Sequence, residues 1–238
     1  FKRYHDRNFK AWEIKSATAL YAPTTTSSLT SADIEALTPW VFLDFTDKVK
    51  ISPADIEVGD GLTSITSKGS ASIVCYSSAT GLEYSTLTGS TSPAILSTIS
   101  WHAISDVSQP QGGSQGEEAT FTFVFETPST GVSTERWLFK NRIFRVKGST
   151  VLKIIEDDEV HSTTCTLQTE TPFLCQMIWD GPTDTMSVEL INLTDMSSQT
   201  DSVVMDNQLS LTPDYNFYMS NAQTGAIGWK IGSCIELK

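Results

Sequence analysis

Long apolar runs are missing from this sequence. None approaches the roughly 18 consecutive apolar residues that a membrane-spanning helix needs, so membrane insertion is not expected. An apolar leader is missing too, because the first ten residues, FKRYHDRNFK, are polar and basic. The chain opens on Phe1 rather than Met, which points to a processed product or a fragment. Positive charge is scarce, with 16 Lys and Arg against 28 Asp and Glu and a net charge of −12. Nucleic acid and anionic lipid demand concentrated Lys and Arg, and neither is expected as a partner. The four cysteines (Cys75, Cys165, Cys175 and Cys234) lack C-x-x-C or Cys/His spacing, so no zinc or other metal site is expected. An even count would allow two disulfides in any of three connectivities. Each cysteine sits in an apolar, strand-like context, however, and the expectation is reduced thiols in the core.

Also absent are the Ala/Leu/Glu/Lys stretches of long helices. Ser and Thr are plentiful, Gly and Pro recur as punctuation, and 10% of residues are aromatic. That composition favours strands and turns around a sizeable core. The clearest strand is 119–125, where Phe121, Phe123 and Phe125 share one face by alternation. Further strands are expected at 39–45, 136–140, 142–147, 151–155, 163–168, 173–179, 186–191, 217–219 and 227–237. Shorter apolar clusters lie at Ile65, 73–76, 94–96 and 101–104. Asp180-Gly181-Pro182-Thr183-Asp184 reads as a hairpin tip, Gly59-Asp60-Gly61 as a turn, and 108–116 as an exposed loop. The regular spacing of turns predicts an all-β fold, a two-sheet antiparallel β-sandwich or jelly roll over residues 31–238. Before it lies an extended N-terminal arm, residues 1–30, ending in the Thr/Ser-rich linker 22–30. Within 1–15, Lys2, Arg3, Arg7, Lys10 and Lys15 outnumber Asp6 and Glu13. A basic arm on an acidic body suits docking onto a partner, with Trp12 as an anchor.

Three segments, in order, resemble the concanavalin A-like or laminin G-like jelly-roll domain found in phage and viral particle proteins. They are the short helical turn Ser31–Leu37 followed by Trp40-Val41-Phe42-Leu43-Asp44, the pair 176–181 and 187–191 about an Asp-Gly hairpin, and the terminal strand 225–232 with Gly225, Gly228 and Gly232. The resemblance covers about 31–238. It implies a non-enzymatic virion protein at the particle surface (a fibre, decoration or receptor-binding subunit) that recognises glycans or neighbouring subunits. Its partners would be other virion proteins or its own copies in a homo-oligomer, reached through the arm, and cell-surface glycan. A secreted, extracellular lectin or adhesion module is the alternative, with glycoside hydrolase the weaker one.

Catalysis lacks a signature. Retaining glycosidases need two carboxylates about 5–5.5 Å apart, which members of this broad fold often carry as alternating acids on one strand, and the nearest cluster, Glu156-Asp157-Asp158-Glu159, is contiguous and reads as a solvated hairpin tip. His5, His102 and His161 are the only histidines, and no Gly-x-Ser-x-Gly elbow precedes a helix. No cofactor is expected. Calcium is the alternative, through Asp44, Asp47, Asp60, Asp106, Asp180 or Asp184, though these form no EF-hand pattern and suit ordinary turns. The candidate binding ribbon is 135–147, ERWLFKNRIFRVK, where Arg136, Lys140, Arg142, Arg145 and Lys147 hold five of the 16 basic residues. With Lys140-Asn141 at a hairpin tip, these charges converge beside an apolar face that includes Trp137 and Phe139. They could grip an anionic polysaccharide or an acidic neighbour. The bland reading is a solvated face that protects a sheet edge. Trp101 and Trp137 are the candidate sugar-stacking rings, while Trp40, Trp179 and Trp229 belong to the core. Asn192-Leu193-Thr194 is a glycosylation sequon of use only to a secreted chain.

Overall fold

The computed structural model describes residues 31–70, 74–77, 82–97, 104–105, 118–130, 132–133, 135–140, 144–156, 159–205, 218–221 and 228–237. The arm 1–30, the loop 108–116, Trp101, His102 and Asp106 lie outside them. Among the described residues the fold is all-β, with one α-helical turn and two short 3-10 turns. No helix among the described residues is long and apolar enough to cross a membrane.

A single helical turn, α1 (Ser31–Glu35), comes first, with Asp33 in its first turn. It seats Ile34 on Phe42 and Ile235, and Thr38 then enters the left-handed region (φ 52°) just before Pro39. The strands follow in order: β1 (Val41–Leu43), β2 (Ile51–Ser52), β3 (Ser64–Thr66), β4 (Val74–Ser77), β5 (Leu82–Thr86), β6 (Pro93–Ser97), β7 (Ile104–Ser105), β8 (Glu118–Glu126), β9 (Arg136–Lys140), β10 (Arg145–Gly148), β11 (Val151–Glu156), β12 (Glu159–Thr166), β13 (Pro172–Asp180), β14 (Thr185–Asn192), β15 (Ser198–Val204), β16 (Tyr218–Asn221) and β17 (Lys230–Leu237). An eight-stranded antiparallel sheet runs β15-β14-β13-β8-β17-β6-β5, with β1 pairing β17. A five-stranded sheet runs β12-β11-β10-β9-β16, and a small one runs β2-β3-β4-β7. This is the antiparallel sandwich of jelly-roll type that the strand spacing predicts.

The core lies between the large sheet and the five-stranded one. Phe121, Phe123 and Phe125 project from β8 onto one face, as their alternation predicts. Phe139 of the opposite sheet meets the first two edge-on, with centroids 4.9 and 4.4 Å away. Phe144 stacks on Phe121 at 5.3 Å, and Trp229 lies 6.2 Å from Phe125. Trp179 and Trp229 are both buried, as expected of core tryptophans. Cys165, Cys175 and Cys234 are buried free thiols. Burial pushes the Cys165 and Cys175 thiols up, which keeps them protonated and unreactive. The side chain of Cys75 lies outside the described residues.

Along one side the two sheets are laced edge to edge. Asp201 of β15 accepts hydrogen bonds from the backbone N–H (2.7 Å) and hydroxyl (3.1 Å) of Thr164 on β12. Gln199 accepts from the Thr166 N–H (2.8 Å) and donates back to its carbonyl (3.0 Å). Side chains thus satisfy an edge that would otherwise offer itself to another chain, each bond contributing about 1 kcal/mol. Asp180 to Asp184 form the expected hairpin tip, a 3-10 turn closed by Asp184 in the left-handed region (φ 48°).

Candidate functional site

The basic ribbon takes a different form from the one its sequence suggests. Strands β9 and β10 do pair, with Lys140 opposite Arg145 and Phe139 opposite Val146, but Trp137 then faces Lys147. Leu138 is the extra residue of a β-bulge, which reverses the facing of everything before it. Leu138 and Phe139 therefore both enter the core at 0% exposure, and Trp137 turns to the outer face. The single apolar face shared by Trp137 and Phe139 is corrected by this bulge. Nor does the ribbon protect an edge, since β9 and β10 are flanked by β16 and β11.

The ribbon's charges are similarly redistributed. Arg136, opposite Gly148, is buried, and burial holds its guanidinium below the usual value. Arg145 is buried as well. Lys147 donates to Glu135 at 2.7 Å, Lys153 does the same from β11, and the Lys147 ammonium lies 4.5 Å from the centre of the Trp137 ring. Arg142, Trp101, the side chain of Lys140 and the arm residues Lys2, Arg3, Arg7, Lys10 and Trp12 lie outside the described residues. The outer face of this sheet thus carries an ion-paired cluster about Glu135.

Its two lysine hydrogen bonds hold the Glu135 carboxyl below its ordinary value of 4.5. A group lowered in this way favours the folded state above its unfolded pKa, and the contribution fades as pH falls through the lowered value. Carboxyl-carbon NMR is expected to show Glu135 titrating below the ordinary range, and Lys153→Met should move the midpoint upward. An unmoved midpoint would mean that the lysines do not set it.

The outer face of the large sheet is of another kind. The hairpin β13–β14 is in register from Phe173↔Asn192 to Asp180↔Thr185, and β15 continues it from Thr185↔Val204 to Ile191↔Ser198. Because side chains alternate, Phe173, Cys175, Met177 and Trp179 face the core. Gln176, Ile178, Ser187, Glu189, Thr200 and Ser202 face outward. The register sorts them into two rows across the strands. One runs Gln176, Glu189, Thr200 and continues to Thr122 on β8; the other runs Ile178, Ser187, Ser202 and continues to Thr120. Together these six residues line a groove of about 480 Å³, with Val188 and Asp201 completing its wall. At a strand spacing of about 4.8 Å the rows cross roughly 10 Å from β13 to β15.

Chemically the groove offers an amide, a carboxylate, three hydroxyls and one apolar side chain. Glu189 accepts from the Ser198 hydroxyl at 3.0 Å. Asp201 lies opposite inward-facing Val188 and turns its carboxylate to β12. The hydrogen bonds from Thr164 and Ser202 hold that carboxyl below its usual value. One row beyond, Glu118 stands opposite Asp180. At the other end of β8, Glu126 is neutralised by Lys230 at 2.9 Å. The outward positions of β13, β14 and β15 carry no Lys or Arg. No group of three or more His, Cys, Asp or Glu among the described residues converges as metal ligands would. Asp47 caps a 3-10 turn, Asp60 accepts from the Glu57 N–H, and Asp44 binds Lys68 and Thr46.

No protein-family model matches the chain, and no curated protein does. Solved structures do resemble it. The binding domain of botulinum neurotoxin serotype D is similar over 87% of this chain and 48% of that one, with a TM-score of 0.53 and 7% identity. A protein of unknown function from Shewanella oneidensis MR-1 is similar over 90% and 95%, with a TM-score of 0.49 and 14% identity. Lectin II from Ulex europaeus is similar over 76% and 90%, with a TM-score of 0.44 and 10% identity. At such identities the likeness to the toxin domain speaks to fold alone.

Proposed function

We propose that this chain is a non-enzymatic glycan-recognition module and that a glycan lies in the groove over β13, β14 and β15. One observation carries this reading: two cross-strand rows of amide, carboxylate and hydroxyl groups beside an apolar side chain, in a groove of about 480 Å³. Sugar hydroxyls both donate and accept, so they are matched by groups of this mixed inventory. The rows stand on a hydrogen-bonded sheet, which presets their geometry and lowers the ordering cost of binding. Glycosidic cleavage would need a second carboxylate about 5–5.5 Å from the first in a retaining enzyme, or about 6.5–9.5 Å in an inverting one. Asp201 is turned away from Glu189, and the opposed pair Asp180 and Glu118 lies two rows along the strand, about 13 Å away by strand rise and outside the groove lining.

The module is further proposed to sit at the surface of a phage-like particle as a fibre, decoration or receptor-binding subunit. Residues 1–30 would dock there on virion proteins or on its own copies. This part rests on the sequence resemblance and on the contrast between a basic arm and an acidic body.

A glycan array probed with the full chain tests recognition, and Ser187→Trp tests its place. Filling the groove is expected to weaken binding about a hundredfold or more while the thermal unfolding temperature holds, since Ser187 faces outward. Undiminished binding by the filled variant would place recognition elsewhere. New reducing ends appearing on a bound glycan would overturn the non-enzymatic assignment.

A further inference from the structure

We infer that the groove selects uncharged oligosaccharides and rejects acidic ones, a deepening that rests on the glycan reading above. The ribbon 135–147 suggested the opposite preference, an anionic polysaccharide. Its described arginines are buried, and the described lysines of that face are engaged with Glu135.

The charge of the groove follows from the register. Its floor holds Glu189, and the next row along the strands places Glu118 opposite Asp180. The remaining outward positions of β13, β14 and β15 are Pro172, Leu174, Gln176, Ile178, Thr185, Ser187, Ile191, Ser198, Thr200, Ser202 and Val204, all uncharged. Among the described residues of β8, β13 and β17, this face carries one ammonium, that of Lys230, and Glu126 holds it. A uronate or sulfate in the groove would therefore meet Glu189, with no cation at the described outward positions of β13, β14 and β15 to offset it. Specificity of this kind comes from repulsion of the wrong ligand as much as from attraction of the right one. The protein as a whole adds to the effect, since a net charge of −12 slows the approach of any polyanion.

Neutral sugars suit the same groups. Glu189 can accept from paired vicinal hydroxyls, and such charge-assisted bonds are the strong ones. Gln176 is planar and both donates and accepts, while Ser187, Thr200 and Ser202 can turn their hydroxyls to either role. Ile178 offers an apolar patch to the C–H face of a ring. Within each row the side chains repeat at the strand spacing of about 4.8 Å, which is comparable with the length of one sugar unit, so a linear chain lying across the strands meets a new pair of side chains at each unit.

The test compares the full chain against neutral cello-, malto-, chito- and galacto-oligosaccharides and against oligogalacturonate and hyaluronate, at low and high salt. Expected is saturable, salt-insensitive binding of at least one neutral class, favoured over its acidic counterparts on the order of a hundredfold. Glu189→Gln should weaken that binding about tenfold. Thr200→Lys, at an exposed position of the outer strand, should raise the affinity for the acidic sugars. Salt-sensitive binding of the acidic sugars that Glu189→Gln leaves unchanged would overturn the inference and leave glycan recognition standing. Failure to bind either class would overturn the glycan reading itself, and this inference with it.

Discussion

Phe123→Ala is expected to lower the unfolding free energy by about 3–5 kcal/mol. Phe123 is 0% exposed and sits in the middle of β8, the strand that bridges the two halves of the large sheet. Its ring lies 5.3 Å from Phe121, 5.6 Å from Phe125 and 4.4 Å from Phe139 across the sandwich. Removing it opens a cavity where the two sheets meet, and the loss is apolar transfer plus the unfilled volume. Domains are stable by only about 5–15 kcal/mol, so the variant should unfold at markedly lower urea with an unchanged slope. Phe123→Leu keeps most of the volume and should cost about half as much or less. A loss under about 1 kcal/mol for the alanine variant would show that the aromatic row does not join the sheets.

That row was legible in advance because Phe121, Phe123 and Phe125 alternate with Thr120, Thr122 and Val124, the signature of a strand with one face in a core. The β13–β14 hairpin was legible for the same reason, with Asp180-Gly181-Pro182 to mark its turn. Strand β15 gave no such signal. Its sequence SQTDSVV has no apolar stripe, because only Val203 packs against the core and the strand's work is done by Gln199 and Asp201 at the sheet edge. Strand β5 is equally silent, since only Leu82 and Tyr84 of LEYST face inward.

The candidate site was hidden more deeply. Charge and aromatics drew attention to 135–147, but a bulge at Leu138 moves Trp137 to the other face, and nothing in RWLFK announces a bulge. The groove consists of Gln, Glu, Ser, Thr and Ile, none of which carries a signal alone. One cue was available. Once the hairpin turn is placed at Asp180–Asp184, counting back in register sets Gln176 beside Glu189 and Ile178 beside Ser187. Only the position of β15 as the next neighbour required the folded chain.

Lys68→Met is expected to cost about 3–5 kcal/mol, the usual penalty for stripping one partner from a buried ion pair. The Lys68 ammonium lies 2.5 Å from Glu35, 3.2 Å from Asp44 and 3.2 Å from Asp47. Its side chain is 11% exposed and that of Asp44 is 1% exposed. It therefore ties α1 to the segment that follows β1, and its own N–H donates to the Phe42 carbonyl at 2.8 Å. The variant keeps the aliphatic stem but leaves the Asp44 carboxylate buried without its ammonium. Burial alone would lower the Lys68 pKa, and Glu35, Asp47 and Asp44 outweigh it and raise the value above that of an ordinary lysine. A base raised in this way contributes fully below its unfolded pKa of 10.5 and loses that contribution only as pH climbs through the raised value. Between pH 6 and 9 the difference between wild type and Lys68→Met should therefore not shrink as pH rises. Lys68→Met combined with Asp44→Asn should recover part of the loss, because the amide carries no charge to strand. A loss that disappears well below pH 10, or a double variant less stable than the single one, would show that the ion pairs are not what holds α1 against the sheet.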